Sequence, residues 1–305
     1  MTRPILIVGG SGQIGERVAR LYAEQGGPVV STCFSQARAG ASPLDASDAN
    51  QVMRLTARLQ PRLIINCVNA KGGTDACERD PSLAQRFHFG SACHLVDAAR
   101  AVGAKFVHLS TDYVFDGRAG PYSEDDVPCP ISQLGRAKRQ AEQYVLEQLP
   151  AALILRTSFV FSWAQQTTAL NFVMQLFAGD RQGSVVRVPT DQIGNVTYAP
   201  NLAEAVVELV ELNAKGLYHV AGTTRCSKYA WALRVAHYFG LRAIVIQGVT
   251  TAELQQAAPR PLQSGFRLEK VQAILKRTRL WSLEEGLAEM EREMAGVTQQ
   301  VGVDG

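Results

Sequence analysis

The sequence predicts an α/β protein in which a doubly wound parallel sheet is followed by a smaller α+β region. Apolar runs rich in β-favouring residues predict five strands, at Ile5–Val8, Val29–Thr32, Leu63–Asn66, Phe106–Leu109 and Leu153–Leu155. Helical periodicity occurs between consecutive strands, at Ile14–Gln25, Ala49–Leu59, Ser82–Val102 and Gly135–Gln148. Such alternation predicts βαβ units, and strands that are apolar throughout are typical of a sheet covered by helices on both faces.

The alternation loosens after residue 156. Turn-rich stretches at 179–183 and 194–195 interrupt it, and shorter helices are predicted at Asn201–Leu212 and Lys228–Phe239. No long linker separates the two parts of the chain. We therefore expect residues 1–155 to form the sheet domain and residues 156–305 to form mainly a smaller region packed on it, with a cleft between them.

The composition argues against several classes of protein. The 305 residues are 46% hydrophobic and 19% charged, with a formal net charge of +3, which is typical of a globular protein and offers no basic stripe for nucleic acid. No apolar run is long enough for a membrane span or a signal peptide, so we expect a cytoplasmic protein without a membrane partner. The six cysteines lack CxxC spacing and the histidines lack an HExxH pair, which predicts free thiols and no metal site.

A glycine-rich segment directly follows the first predicted strand. It reads Gly9-Gly10-Ser11-Gly12-Gln13-Ile14-Gly15 and opens the first predicted helix. Glycine here allows the backbone to approach a pyrophosphate closely, and amides at the helix N-terminus bind the phosphates. An ordinary strand-to-helix turn also uses glycine, but this position in a βαβ series favours a Rossmann-type dinucleotide site. The predicted cofactor-binding residues in this loop are Gly9, Ser11, Gly12, Gln13, Ile14 and Gly15.

The end of the second predicted strand favours one dinucleotide over the other. An NAD site usually carries an acidic residue about 20 residues after the glycine motif, where it binds the ribose hydroxyls. The segment 31–38 has no acidic residue, but it has small hydroxyl side chains such as Ser35, followed by Arg38. We therefore predict that NADP(H) is favoured over NAD(H), with Ser35 and Arg38 near a 2′-phosphate, unless Arg38 is simply a solvated loop residue. Asn66, which ends the third predicted strand, is assigned to the same cofactor site.

A second motif follows the fourth predicted strand. It reads Ser110-Thr111-Asp112-Tyr113-Val114-Phe115-Asp116-Gly117. Together with the glycine loop, this string closely resembles extended short-chain dehydrogenase/reductases of the dTDP-4-dehydrorhamnose reductase type. The same family includes the regulatory β subunit of methionine adenosyltransferase. Shorter matches continue along most of the chain, at Asn171-Phe172, Asp191-Gln192, Gly216–His219 and Arg260-Pro261.

The resemblance implies a carbonyl reduction and a set of catalytic residues. In this family hydride passes from the nicotinamide to a carbonyl carbon, and a tyrosine protonates the resulting alkoxide. A lysine four residues later lowers the pKa of that phenol and binds the nicotinamide ribose, while a Ser/Thr hydroxyl polarises the carbonyl. Thr111 and Lys138 match these two positions, but Leu134 stands at the position of the tyrosine.

The replacement of the tyrosine by Leu134 removes the usual proton donor. Losing a positioned general acid typically costs about 10²–10⁴-fold in rate. Tyr113 is the remaining catalytic candidate beside Thr111 and Lys138, although it belongs to the string shared with relatives that keep the usual tyrosine. His88 is a second departure, because the family usually has an asparagine there.

The resemblance also implies a set of substrate-binding residues. They are Thr111, Asp112, Gln192 and Arg260. A guanidinium group is a natural partner for phosphate, so Arg260 would suit a diphosphate-bearing substrate. An ordinary surface loop is the alternative interpretation for the segments around Gln192 and Arg260.

Three functions agree with these motifs. The first is an atypical NAD(P)H-dependent reductase acting on a keto group of a sugar nucleotide or a similar polar small molecule. The second is a non-catalytic NADP-binding subunit that regulates a partner enzyme, which Leu134 favours. The third is altered chemistry on the same fold, with water or substrate supplying the proton. We favour the first because the substrate-side motifs are intact, and a homodimer or a complex with a partner enzyme is compatible with it.

Overall fold

The computed structural model describes residues 2–34, 40–163 and 171–301. The strands within these ranges are β1 (Ile5–Val8), β2 (Val29–Cys33), β3 (Ala41–Pro43), β4 (Leu63–Asn66), β5 (Lys105–Thr111), β6 (Leu153–Thr157), β7 (Val160–Phe161), β8 (Val185–Pro189), β9 (Ile193–Asn195), β10 (Thr197–Tyr198), β11 (Gly216–His219), β12 (Arg225–Ser227) and β13 (Val245–Val249). Seven of them form a parallel sheet in the order β3-β2-β1-β4-β5-β6-β11. The strand order reverses between β1 and β4, which is where open α/β sheets bind ligands.

The helices cover this sheet and fill the smaller region. They are α1 (Gln13–Glu24), α2 (Ala49–Leu59), α3 (Gly73–Arg79), α4 (Pro81–Ala84), α5 (Ser91–Val102), α6 (Gln133–Gln148), α7 (Phe172–Gln182), α8 (Ala199–Glu211), α9 (Lys228–Phe239), α10 (Thr251–Leu254), α11 (Glu269–Ile274) and α12 (Leu283–Val301). A π-helical segment occupies Gln85–Gly90, and a 3-10 turn occupies Asp112–Val114.

Alternate side chains of the central strands enter two separate apolar clusters. On one face, Ile5 and Ile7 of β1 pack with buried residues of α1 and α8. On the other face, Leu6 and Val8 pack with buried residues of α2, α5 and α6. All four side chains are 1% exposed or less, which is the burial expected of a strand covered on both sides. The predicted doubly wound α/β fold is confirmed.

The central sheet takes its last strand from the second part of the chain. β11 pairs in parallel with β6, from Gly216 opposite Leu153 to His219 opposite Arg156. The sheet therefore extends beyond residues 1–155, and β6 itself ends at Thr157. Most of the remaining second-half residues form the smaller region, which contains the strand pairs β7–β10, β8–β13 and β9–β12.

The segment predicted as one helix at Ser82–Val102 is divided in the structure. α4 ends at Ala84, the π-helical segment follows, and α5 begins at Ser91. Short π-helical segments are rare and often occur at functional sites. His88 lies in this segment and is 1% exposed.

All six cysteines are free, as predicted; Cys33 and Cys77 are buried, whereas Cys129 is exposed. Among the residues that the structure describes, no helix has both the length and the apolar character needed to cross a bilayer.

Candidate active site

The glycine loop connects the carboxyl end of β1 to α1. Gly9 has φ +81°, a conformation that side chains other than glycine rarely adopt, and a Cβ there would lie 2.8 Å from the carbonyl oxygen of Cys67. A Cβ on Gly15 would lie 2.5 Å from the carbonyl oxygen of Gly9. α1 begins at Gln13, and none of the described side chains caps its N-terminus. The backbone of the loop therefore packs closely on itself, while the first amides of α1 have no side-chain acceptor among the described residues.

The other predicted cofactor residues differ in their surroundings. The side-chain oxygen of Gln13 accepts a hydrogen bond from Ser162 (3.0 Å), which connects the loop to the segment after β7. Ser11 and Ile14 are partly buried. Asn66 is 2% exposed; its amide nitrogen lies 3.1 Å from Nδ1 of His108, and its amide oxygen accepts from the backbone of Val68. Both polar atoms of the Asn66 side chain therefore have a partner inside the protein. Ser35 and Arg38 lie outside the described residues.

Lys138 reaches from α6 to the carboxyl half of β5, the strand that ends at Thr111. The ammonium group of Lys138 donates a hydrogen bond to the carbonyl oxygen of Leu109 (2.8 Å), two residues before Thr111. Burial lowers the pKa of Lys138 to about 8, against the opposing influence of Cys67 and Glu142. The hydroxyl of Thr111 donates to Asp112 (3.2 Å) and accepts from the backbone of Tyr113 (3.3 Å). The structure thus places the ammonium group of Lys138 against β5, two residues before Thr111.

Leu134 lies one helical turn before Lys138 on α6, so the two side chains share a face of the helix. Ser132 caps this helix by accepting from the backbone of Gly135 (3.2 Å), and a Cβ on Gly135 would clash with the carbonyl oxygen of Tyr113. This close approach places the first turn of α6 against the turn at Asp112–Val114. Leu134 is 8% exposed and belongs to the same apolar cluster as Ala137 and Tyr113. Leu134, which the sequence predicts to stand at the position of the family's tyrosine, is therefore packed as core.

Tyr113 is half-buried next to this cluster. Burial raises the pKa of its phenol to about 12, although the positive charge of Arg260 acts to lower it. The guanidinium carbon of Arg260 lies 6.0 Å from the centre of the Tyr113 ring. A phenol with this pKa is a weaker acid than an ordinary tyrosine.

Asp112 is the acidic residue closest to Thr111 and is 2% exposed. Its other oxygen accepts a hydrogen bond from the hydroxyl of Ser264 (2.9 Å). Burial raises the pKa of the Asp112 carboxyl to about 6, although the hydrogen bonds from Ser264 and Thr111 lower it. Ser264 also bonds through its backbone to Ile193 of β9, so one loop connects the end of β5 to the smaller region.

Arg260 and Gln192 already have partners within the protein. Arg260 forms an ion pair with Asp75 (2.7 Å) and donates to the backbone of Ala258. The amide of Gln192 donates to Thr251 and Gln256, and its backbone oxygen accepts from the backbone nitrogen of Lys228 (3.0 Å). Both predicted substrate residues therefore lie on segments that meet near Asp112, and their side chains are held by neighbours.

Two further titratable residues, Lys228 and His88, lie near this site and are not among the predicted site residues. Lys228, the first residue of α9, interacts electrostatically with Asp112 and Arg260. The one local signal is that a lysine is unfavourable in the first turn of a helix. His88 lies close enough to Lys138 for that charge, together with burial, to hold the His88 pKa well below its ordinary value. Neither ring nitrogen of His88 has a hydrogen-bond partner among the described residues.

The strand order, the glycine loop at its reversal and the bond from Lys138 to β5 near Thr111 define a protein of the short-chain dehydrogenase/reductase class. Within that class the chain belongs to the family described as the RmlD substrate binding domain, which matches residues 2–295. The predicted family is thus confirmed.

Three similar proteins show the range of this family. A probable low-salt glycan biosynthesis reductase of Haloferax volcanii is 32% identical over 290 residues, covering 93% of this chain and 96% of that protein. Methionine adenosyltransferase 2 subunit beta of Pongo abelii is 26% identical over 279 residues, covering 89% and 82%. The structure of dTDP-4-dehydrorhamnose reductase from Bacillus anthracis in complex with NADP has a TM-score of 0.85 at 28% identity, covering 96% and 100%. The chain is therefore related to sugar-nucleotide reductases and also to a subunit of another enzyme.

Proposed function

We propose that this protein is an NADP(H)-dependent reductase that acts on a keto group of a sugar nucleotide or a similar polar small molecule without the family's usual tyrosine. The observation that carries this proposal is the hydrogen bond from Lys138 to Leu109, which holds the ammonium group beside Thr111. Both residues lie at the same sheet edge as the glycine loop, because β1, β4 and β5 are parallel neighbours. The similarity to a glycan biosynthesis reductase and to an NADP-bound reductase supports the same function.

The glycine loop would hold the pyrophosphate of the cofactor. Its amides at the start of α1 lack a side-chain acceptor, and the exposed Gly12 leaves the backbone open to a ligand. When bound, NADPH supplies the hydride. Lys138 would bind the nicotinamide ribose, and its positive charge would stabilise the oxygen anion that develops on the substrate.

Thr111 would orient the carbonyl through its hydroxyl. That hydroxyl already lies between Asp112 and the backbone of Tyr113, so its position is fixed before substrate binds. Leu134 provides no proton, and the pKa of Tyr113, about 12, makes that phenol a poor replacement. The proton for the alkoxide would then come from water or from the substrate itself, and the reaction should be slow by the standard of the family.

The experiment that tests this function measures cofactor binding and cofactor oxidation separately. The purified protein is titrated with NADPH and with NADH, and is then incubated with NADPH and a panel of keto-sugar nucleotides. We expect NADPH to bind more tightly than NADH, and at least one keto-sugar nucleotide to be reduced slowly. Absence of binding for both dinucleotides, with Gly12→Asp silent, would refute the function. Equal affinity for the two dinucleotides, unchanged in Arg38→Ala, would refute only the preference for NADP.

A second candidate function is a non-catalytic subunit that binds NADP and regulates a partner enzyme. The observation that favours it is the packing of Leu134 as part of an apolar cluster, and the similarity to a methionine adenosyltransferase subunit agrees with it. In that case NADPH would bind normally and no keto-sugar nucleotide would oxidise it.

A further inference from the structure

Lys228 is a cation of the cleft for which the described residues provide no ion pair. Its side chain is half-buried at the start of α9, and its backbone is bonded to Gln192. The ammonium nitrogen lies 5.3 Å from the centre of the Phe159 ring. An aromatic face attracts a cation but does not neutralise it. The charge of Lys228 is therefore available to a ligand.

The surroundings of Lys228 destabilise its charged form. The first turn of a helix carries a partial positive charge, so a cation there is repelled. Burial and the neighbouring charge of Arg260 together lower the pKa of Lys228 to about 8, whereas Asp112 and Asp75 act in the opposite direction. A lysine with this pKa remains mostly protonated at pH 7. Unpaired charges retained in a cleft are typical of functional sites.

Phe159 is held under Lys228 by a strained backbone. Its φ of +42° falls in the left-handed region, which is a genuine outlier for a bulky residue. The ring stacks on Trp231, with the ring centres 5.9 Å apart. Strain of this kind persists only where the surrounding structure fixes it, and it concentrates at ligand sites. The surrounding structure therefore fixes the Phe159 ring next to Lys228.

We propose that Lys228 is a substrate-recognition residue that binds an anionic oxygen group of the sugar nucleotide, next to Arg260. This inference rests on the proposed function. Arg260 is already paired with Asp75 (2.7 Å), and both oxygens of Asp112 accept hydrogen bonds, from Thr111 and Ser264. Among the residues that the structure describes, Lys228 is thus the cation of this cluster that forms no ion pair. The anionic group is either the diphosphate, which every sugar nucleotide carries, or a carboxylate on the sugar.

The test compares Lys228→Met with Lys228→Arg and with a matched control. Methionine removes the charge and keeps a side chain of similar length, whereas arginine keeps the charge. Lys215→Met removes an exposed lysine just before β11. Lys215 thus lies at the amino ends of the parallel strands, whereas the proposed site lies at their carboxyl ends. For each protein, affinities are measured for TDP, thymidine, UDP-glucose, UDP-glucuronate and NADPH, and circular dichroism checks that the fold is retained.

If Lys228 binds the diphosphate, Lys228→Met weakens TDP binding by about tenfold or more, as expected for loss of a charge-assisted hydrogen bond. Thymidine and NADPH then bind as in the native protein, and Lys228→Arg and Lys215→Met keep their affinity for TDP. If Lys228 binds a sugar carboxylate, Lys228→Met keeps TDP affinity but loses a native preference for UDP-glucuronate over UDP-glucose. Either pattern supports the proposal and identifies the anionic group.

Native-like affinities of Lys228→Met for TDP and for both UDP-sugars would overturn the proposal. Equal native affinity for TDP and thymidine, together with no preference for UDP-glucuronate, would overturn it as well. These results leave NADPH binding intact and so concern Lys228 alone. Failure of the native protein to bind NADPH would instead refute the proposed function.

Discussion

The two sides of the cleft are built in different ways. The proposed cofactor side is local: seven consecutive residues, Gly9–Gly15, form a turn in which a Cβ at Gly9 or Gly15 would meet backbone atoms. The proposed substrate side is assembled from four distant segments, which carry Asp112, Gln192, Lys228 and Arg260. Backbone sterics constrain the first, whereas side-chain charge and packing constrain the second.

The largest expected effect is on the cofactor side. In Gly15→Ala the new methyl group would lie 2.5 Å from the carbonyl oxygen of Gly9 and 2.9 Å from Cα of Gly10, so the loop has to move. A displacement of about 1 Å in a binding site can cost on the order of 10²-fold. We expect NADPH affinity, measured by fluorescence titration, to fall by about that factor.

The matched control is Gly296→Ala in α12, where a Cβ meets no atom within 4 Å. It should leave NADPH affinity unchanged and stabilise the helix by about 0.5–1 kcal/mol. Native-like NADPH affinity in Gly15→Ala would show that the loop is more tolerant than its sterics indicate, and the contrast between the two sides would be lost.

The next effect tests the missing acid. Leu134→Tyr places a phenol one helical turn from Lys138, whose positive charge should lower the phenol pKa. We expect NADPH oxidation with a keto-sugar nucleotide to rise by about 10–10²-fold. The full factor of about 10²–10⁴ is not expected, because the ring has to enter an apolar cluster packed around leucine.

Two controls interpret that gain. Lys138→Met in the Leu134→Tyr background should remove it, since the phenol would lose its charged neighbour. Fast native turnover that disappears in Tyr113→Phe or in His88→Ala would mean that one of these residues already replaces the tyrosine. No turnover in either the native protein or Leu134→Tyr, with normal NADPH binding, would favour the regulatory-subunit function.

The contact between α8 and the segment 276–278 provides a prediction about stability. Glu208 of α8 is 2% exposed and accepts hydrogen bonds from the backbone nitrogens of Lys276, Arg277 and Thr278. Burial acts to raise the pKa of Glu208, but a hydrogen bond from the Thr278 side chain and those from the three backbone nitrogens lower it from 4.5 to about 2. A carboxyl with a lowered pKa in the folded state stabilises the protein above its unfolded pKa and loses that contribution as the pH falls toward its folded pKa.

We therefore expect Glu208→Gln to reduce the free energy of unfolding by about 2–3 kcal/mol at pH 7. Urea unfolding from pH 7 to pH 2 should show the difference between native and variant shrinking mainly between about pH 4.5 and pH 2. A difference that stays constant over this range would mean that packing, and not the charge of Glu208, holds the 276–278 segment.

The smallest effect concerns Asp112. Ser264→Ala removes a hydrogen bond to the charged form of this carboxyl, so its pKa should rise above the value of about 6. NMR titration of the aspartate side chains measures this directly, and the loss of stability should be about 1 kcal/mol. An unchanged or lowered pKa would show that Ser264 does not control the charge of Asp112.

Much of the central sheet could be predicted from the sequence. Each of the five predicted strands falls within an observed strand, because buried parallel strands leave continuous apolar runs. β3 and β11 were missed for physical reasons. β3 has three residues and ends in Pro43, and β11 reads Gly-Leu-Tyr-His, so neither has an apolar run.

The candidate site could be predicted only where its residues form a local motif. The glycine loop and the segment around Thr111 are contiguous strings, whereas Lys228 acquires its surroundings from Phe159, Arg260 and Asp112, which are far away in the sequence. The contact between Asn66 and His108 could not be predicted either, because these residues lie on two neighbouring strands that are far apart in the sequence. The π-helical segment was missed because one wide turn does not disturb the helical pattern of apolar residues.

The place of β11 at the edge of the sheet also has a consequence for synthesis on the ribosome. β6 leaves the ribosome long before β11, so its outer edge exposes unpaired backbone groups while the intervening chain is still being made. The central sheet therefore cannot be completed until the chain has grown past His219. A ribosome pause before β11 would lengthen the time during which the nascent sheet can pair with another chain.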